Sequence, residues 1–244
     1  MVKNNLNTLI IAIAIVISAS LFSNAFQNRN KNTDTISVTG LGKTDFISDL
    51  IVWSGSFSRK STSLKEAYSS IDTDREKIKS YLSSKGISAN EIVFSAVNFN
   101  KEYQTTYNEN GTIRENIFSG FSLTQSLTIQ SKEVNKIEDI SRKSSELINS
   151  GIEFYSNAPE YYYTKLAELK IKMIAEATKD ASTRAKSIAE NAGAKLGNLK
   201  KSDMGVFQII GQNSSEDYSY GGSFNTQSKN KTATITVKLV YQVD

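Results

Sequence analysis

Gly40-Leu-Gly-Lys-Thr44 is the first stretch of this chain whose residue types and spacing suggest chemistry. Glycines followed by Lys-Thr close a phosphate-binding loop, in which backbone amides cradle oxygens and the lysine answers their charge. That loop also needs a glycine at position 37 and a helix directly after it. Position 37 is Ser, and the residues that follow alternate as a strand, so a glycine turn between strands is expected instead. Asp72, Asp74 and Glu76 offer carboxylates for a hard cation, but at a spacing of two on a helix they diverge around the axis. A solvated helix face is the expectation there. Gly120-Phe-Ser-Leu-Thr124 lies inside a strand pattern, and no nucleophile elbow occurs. Tyr161-Tyr-Tyr163 could stack on rings, yet three consecutive helical residues cannot share a face, so one or two belong in the core.

Two features suit an interaction surface better than a reaction. Tyr218, Tyr220 and Phe224 fall in a loop rich in Gly, Ser and Asn, where exposed aromatics form a docking patch unless the loop is a disordered insertion. Asn110-Gly111 sits between two β-rich runs, the strongest short hairpin signal, and the tip of that hairpin should project into solvent or meet a partner.

Composition narrows the chemistry further. The 244 residues include no cysteine, no histidine and one proline. Disulfides, thiolate nucleophiles, Cys/His zinc sites and histidine-dependent triads are therefore excluded. An enzyme would have to use carboxylates, Lys, Ser/Thr, Tyr or backbone amides, and no converging pair of carboxylates is evident. No catalytic residue, cofactor or metal is expected. The 29 basic and 25 acidic residues give a net charge of +4, mixed along the chain, which argues against nucleic acid as a partner.

Residues 1–30 differ from the rest. Lys3 precedes an apolar centre from Leu9 to Phe22, and charge resumes at Arg29. This reads as an export signal with a cleavage site after Ala25, or as an uncleaved anchor. Residues 6–26 would span about 31 Å as a helix, enough to cross a bilayer. A buried core helix is the remaining reading. The expected location is the periplasm, free or anchored to the membrane facing it. Without cysteine, lipoprotein attachment is excluded.

The body, residues 31–244, reads as one compact α+β domain: an antiparallel sheet with three main helices against it and a long hairpin. Strands are expected at 35–41, before a turn at Gly40-Leu-Gly42, and at 46–57. Ser63-Leu-Lys-Glu66 is a capping-box pattern opening a helix to about Ser84, with Gly86 as its left-handed cap. The hairpin strands run 91–107 and 113–130. A second helix covers 132–149, and a short strand 152–156. Asn157-Ala-Pro-Glu160 is read as the start of the longest helix, 161–192, with Pro159 in its first turn. Ala177, Ala181, Ala185 and Ala189 stripe that helix and permit close approach to a sheet or helix. Asp180 and Arg184 sit four apart as a surface pair. Strands at 199–210 and 233–243 flank the loop 211–230, expected to be mobile.

Ile36-Ser-Val-Thr-Gly40, Lys85-Gly-Ile-Ser-Ala-Asn-Glu-Ile92, Ala175-Glu-Ala-Thr-Lys-Asp-Ala181 and Ala189-Glu-Asn-Ala-Gly-Ala-Lys-Leu-Gly197 together resemble the SIMPL-domain family of bacterial cell-envelope proteins. Trp53 and Gly205-Val-Phe-Gln208 resemble the branch with an N-terminal membrane segment. The likeness covers roughly residues 35–243. It implies an α+β envelope protein, a homo-oligomer, and a link to oxidative-stress defence without accepted catalytic residues. The competing reading is a periplasmic module that captures a hydrophobic ligand or an unfolded envelope protein.

Overall fold

The computed structural model describes residues 2–28, 34–217 and 219–243. The chain runs α1 (Val2–Asn28), β1 (Thr35–Ile47), β2 (Leu50–Ser61), α2 (Leu64–Ser84), β3 (Ile92–Phe94), β4 (Asn98–Tyr107) and β5 (Ile113–Ser131). Then follow α3 (Val134–Lys143), α4 (Glu146–Asn149), β6 (Phe154–Ser156), β7 (Glu160–Tyr162), α5 (Leu166–Asn191), β8 (Leu196–Met204), β9 (Gln208–Gly211), β10 (Ser223–Phe224) and β11 (Asn230–Val243). The α+β plan holds, but with two sheets, each carrying its own core, where one was expected.

In the first sheet β11 pairs antiparallel with β1 on one side and with β8 and β9 on the other. Helix α5 covers one face. No turn occurs at Gly40–Gly42; β1 runs straight through both glycines. Their role is packing: a Cβ on Gly40 would stand 2.1 Å from the Ala177 carbonyl oxygen, and one on Gly42 2.5 Å from that of Met173. The alanine stripe brings the α5 backbone onto the strand, where any side chain on β1 would hold it off. Asp180 is more than half of a surface pair. Besides Arg184, its carboxylate accepts the Leu41 amide at 2.9 Å, capping an edge donor of β1, and that bond holds its pKa below the usual range.

In the second sheet β5 lies between β2 on one side and β3 and β4 on the other; β6 and β7 add to the far edge of β2. Ile51, Trp53 and Phe57 of β2 and Leu123, Leu127 and Ile129 of β5 point to one face. There they meet Ala67, Ile71, Ile78 and Leu82 of α2 and Ile137 and Ile140 of α3. The opposite face alternates to hydroxyls, with Ser54, Ser56 and Ser58 opposite Thr128, Ser126 and Thr124. This period-two split explains why the helices lie on one side only. Ser63 caps α2 as expected, accepting from the Glu66 amide.

Several boundaries differ from expectation: β1 runs on to Ile47, β2 starts only at Leu50, and the strand expected over 91–107 divides into β3 and β4. The helix over 132–149 breaks at Ser144-Ser145, where the Ser144 hydroxyl bonds back to the Ser141 carbonyl. The strand over 199–210 is interrupted at 205–207. Pro159 does not open the longest helix. Residues 160–162 pair with β2 as β7, and α5 begins only at Leu166. Tyr161 there is buried as a strand residue, so the missing proline amide marks a strand entry.

α1 is apolar from Leu9 to Phe26 and none of that stretch is buried, which rules out a core helix. It fits a signal sequence or a membrane anchor.

Candidate interaction surfaces

The two sheets meet at a corner. β1 passes into β2 through Ser48 and Asp49 alone. The Ser48 amide donates to the Lys229 carbonyl (3.0 Å), Asp49 N to Tyr162 O (3.0 Å) and Tyr161 N to Thr226 O (2.7 Å). Both Asp49 oxygens are taken by Thr164, one by its amide and one by its hydroxyl, each at 2.7 Å.

Behind this corner stands Lys231, 1% exposed. Its ammonium donates to the carbonyls of Tyr161 (2.6 Å) and Asn225 and lies 5.7 Å from the Phe224 ring centroid. Lys231 thus ties β11, β7 and the late loop together through uncharged acceptors. Burial pushes its pKa down to about 8, opposed by the charge of Glu216. Its charge gave no warning, because β11 otherwise reads as an alternating apolar strand.

The late loop folds back over the open face of the first sheet. The Gln208 side chain clips it on both sides of Ser219, donating to that carbonyl (2.6 Å) and accepting from that amide (3.3 Å). Phe224 is half-exposed but held in place. It forms β10 beside β9, packs against Tyr162 at 6.4 Å between centroids and covers Lys231. Tyr220 is fully exposed and borders a cavity of about 570 Å³ lined by Leu41, Val206, Gln208, Thr234 and Thr236. Tyr218 lies outside the described residues.

Asn110 and Gly111 sit at the tip of the β4–β5 arm. The loop is longer than a two-residue turn: Asn108 N bonds Thr112 O at 2.8 Å, and Gly111 alone takes a positive φ, +79°. The Asn110 side chain accepts from the Thr112 amide and hydroxyl instead. The tip is polar, but the arm is not. Starting at Phe121, which packs on the second core, rings continue outward to Phe118 (5.1 Å) and Tyr103 (5.9 Å). Tyr107 and Ile113 pair at the far end, both 63% exposed. The apolar face of the second sheet therefore continues past the helices that cover its base. On β5 the stripe does not follow simple alternation: register shifts between Glu102 and Tyr103 and between Thr106 and Tyr107 bring Phe118 and Ile113 opposite Tyr103 and Tyr107, so the sequence pattern pointed only to the tip.

The carboxylates tested as a cation site do not converge. Asp72 pairs with Arg75 and Glu76 with Lys79 on the surface. Asp74, expected on a solvated face, is 1% exposed and gripped by the Arg59 guanidinium through both its oxygens. Arg59 also donates to the Gly151 carbonyl at 2.6 Å. Among the described residues no group of three or more acidic side chains gathers for a metal.

No curated protein matches the chain. Residues 36–241 match the family model described as SIMPL, protein of unknown function (DUF541). The two-sheet body built around Gly40, the α5 alanines and the β4–β5 arm thus lies almost wholly within that match, and the chain belongs to the SIMPL family.

Proposed function

We propose that this is an exported, non-enzymatic protein of the cell envelope that works by self-association, with its body in the periplasm. The observation that carries the reading is the aromatic face of the β4–β5 arm. A two-stranded ribbon is barely stable alone in water, and an exposed row of Tyr103, Phe118, Tyr107 and Ile113 gains most by being covered. The apolar, unburied α1 supports export or anchoring. A part in oxidative-stress defence is carried over from the family resemblance alone.

The test is fractionation of intact cells together with the native mass of the full chain in detergent. A membrane or periplasmic fraction and a discrete oligomer are expected, reduced to monomer by Tyr103→Ser with Phe118→Ser. A monomer at all concentrations, or a cytoplasmic fraction, overturns the proposal.

The cavity of about 570 Å³ under Tyr220 supports a second reading, capture of a hydrophobic ligand. Deleting the loop would also remove Phe224 and Asn225 from Lys231, so Leu41→Ser with Tyr220→Ser is the cleaner probe. Loss of binding to an apolar fluorescent dye, with the oligomer intact, would favour this reading over the first.

A further inference from the structure

We propose that the cavity under Tyr220 binds an uncharged aliphatic chain that ends in a single hydroxyl or carbonyl oxygen. This rests on the second reading above, ligand capture on the open face of the first sheet, and adds the class of ligand. The cavity of about 570 Å³ falls within the usual size of a small-molecule site. Its floor is β11, and Leu41 of β1, Val206 and the Tyr220 ring form apolar walls.

The anchor is Thr234. It is 7% exposed and lines the cavity, and its hydroxyl makes no hydrogen bond among the described residues. The only side-chain polar atoms there that are both sealed from solvent and without a partner are Ser48 Oγ and Gln125 Oε1, so the Thr234 oxygen is not sealed and opens into the cavity. Its neighbour along the same face is already spent, because the Thr232 hydroxyl donates to Asp45 at 2.6 Å. The Gln208 side chain, directly opposite Thr234 on β9, is spent as well: its nitrogen and its oxygen both serve the backbone of Ser219. One deep hydroxyl, able to donate and to accept, is thus left between apolar walls. A ligand with one polar head finds its partner there, whereas a sugar or a peptide would bury further polar groups with none.

Charge selects against an ionised head. The side chains lining the cavity carry none. Beside the floor, Lys43 of β1 stands opposite Thr234, and Asp45 opposite Thr232. Hydrogen bonds from Thr232 and Gln212, with the charge of Lys43, hold the Asp45 pKa below the usual carboxylate range, so this acid stays ionised and offsets the lysine. A charged head would lose its hydration without gaining a counter-charge. The Tyr220 side chain, fully exposed until something covers it, supplies the outer apolar wall.

The experiment follows the methyl resonances of Leu41 and Val206 in the full chain, held in nanodiscs of neutral lipid, during titration with 1-octanol. Octanoate at neutral pH is the charged counterpart. Saturable shifts with 1-octanol are expected, with octanoate binding at least about tenfold more weakly. Thr234→Val keeps the shape of the side chain and removes only a hydroxyl without a protein partner, so it should fold as the native chain does. It should weaken 1-octanol binding about fivefold, the scale of one neutral hydrogen bond. Thr234→Ser should restore that binding. Equal affinity in the native chain and Thr234→Val, or octanoate binding as tightly as 1-octanol, overturns the proposal. Hydrophobic capture still stands in that case if the apolar dye binds and is lost in Leu41→Ser with Tyr220→Ser. No saturable shift with 1-octanol while the dye binds overturns this proposal alone, and binding of neither probe overturns both.

Discussion

Gly40 of β1 lies directly beneath Ala181 of α5, so close that a Cβ on Gly40 would stand 2.5 Å from the Ala181 amide nitrogen and 2.8 Å from its methyl carbon. The contact is backbone against strand, and no rotamer change relieves it. Gly40→Ala should therefore cost at least about 2 kcal/mol, at the upper part of the overpacking range. Gly111→Ala adds the same methyl where nothing lies within 4 Å, and should cost only about 1 kcal/mol for its positive φ. Urea denaturation followed by circular dichroism compares the two.

This pair also shows what the sequence could say. The alanine stripe announced that α5 would approach something closely, and the glycines announced a special backbone. Gly40-Leu-Gly42 nevertheless reads as a turn, because the partner that needs those glycines bare lies more than 130 residues away. Locally encoded features were legible: the Ser63 cap, the apolar stripes of α2 and α3, and the hairpin. The division into two sheets was not, since strand partners are set by long-range pairing. Pro159 misled for the same reason. Asn-x-Pro-Glu is an ordinary helix start, but the pairing of Glu160–Tyr162 with β2 overrides local propensity.

Asp74 and Arg59 form the most deeply committed ion pair in the second sheet. Arg59→Met leaves the Asp74 carboxylate, whose side chain is 2% exposed, without its guanidinium and should cost about 3 kcal/mol; Asp74→Leu should cost less, because the Arg59 side chain keeps 33% exposure and the Gly151 carbonyl. Replacing both, Arg59→Met with Asp74→Leu, should recover most of the larger loss, because the buried carboxylate goes with its partner. Chemical denaturation of the two single variants and the double variant gives the coupling directly.

Lys231 makes stability depend on pH in an unusual direction. Its pKa is about 8 in the fold against 10.5 for a free lysine, so the unfolded chain binds more protons between those values. Stability contributed by this group therefore rises as pH increases through that window, by about 1.5 kcal/mol between pH 8 and 9.5. Above pH 10 the trend reverses. Burial raises the Tyr81 pKa to about 12, and the unfolded tyrosine loses its proton first. Melting temperatures from pH 7 to 9.5 should climb for the native chain relative to Lys231→Met, which has no proton to lose.

Gln208 holds the late loop through two hydrogen bonds to the backbone of Ser219, so its removal should open the loop without touching either core. Chymotrypsin reports this at Tyr220, which is exposed yet held in a clipped segment. Losing two hydrogen bonds, each worth about 1 kcal/mol, should speed that cleavage at least about tenfold in Gln208→Ala when opening is fast relative to cutting. Gln208→Glu keeps an acceptor for the Ser219 amide but sets a carboxylate against its carbonyl, so it should cleave at least as fast as the alanine variant. Tyr103 and Tyr107 on the arm serve as the internal reference, because their exposure does not depend on Gln208. Equal acceleration at all three tyrosines would mean global loosening, and acceleration at Tyr220 alone identifies the glutamine as the clip.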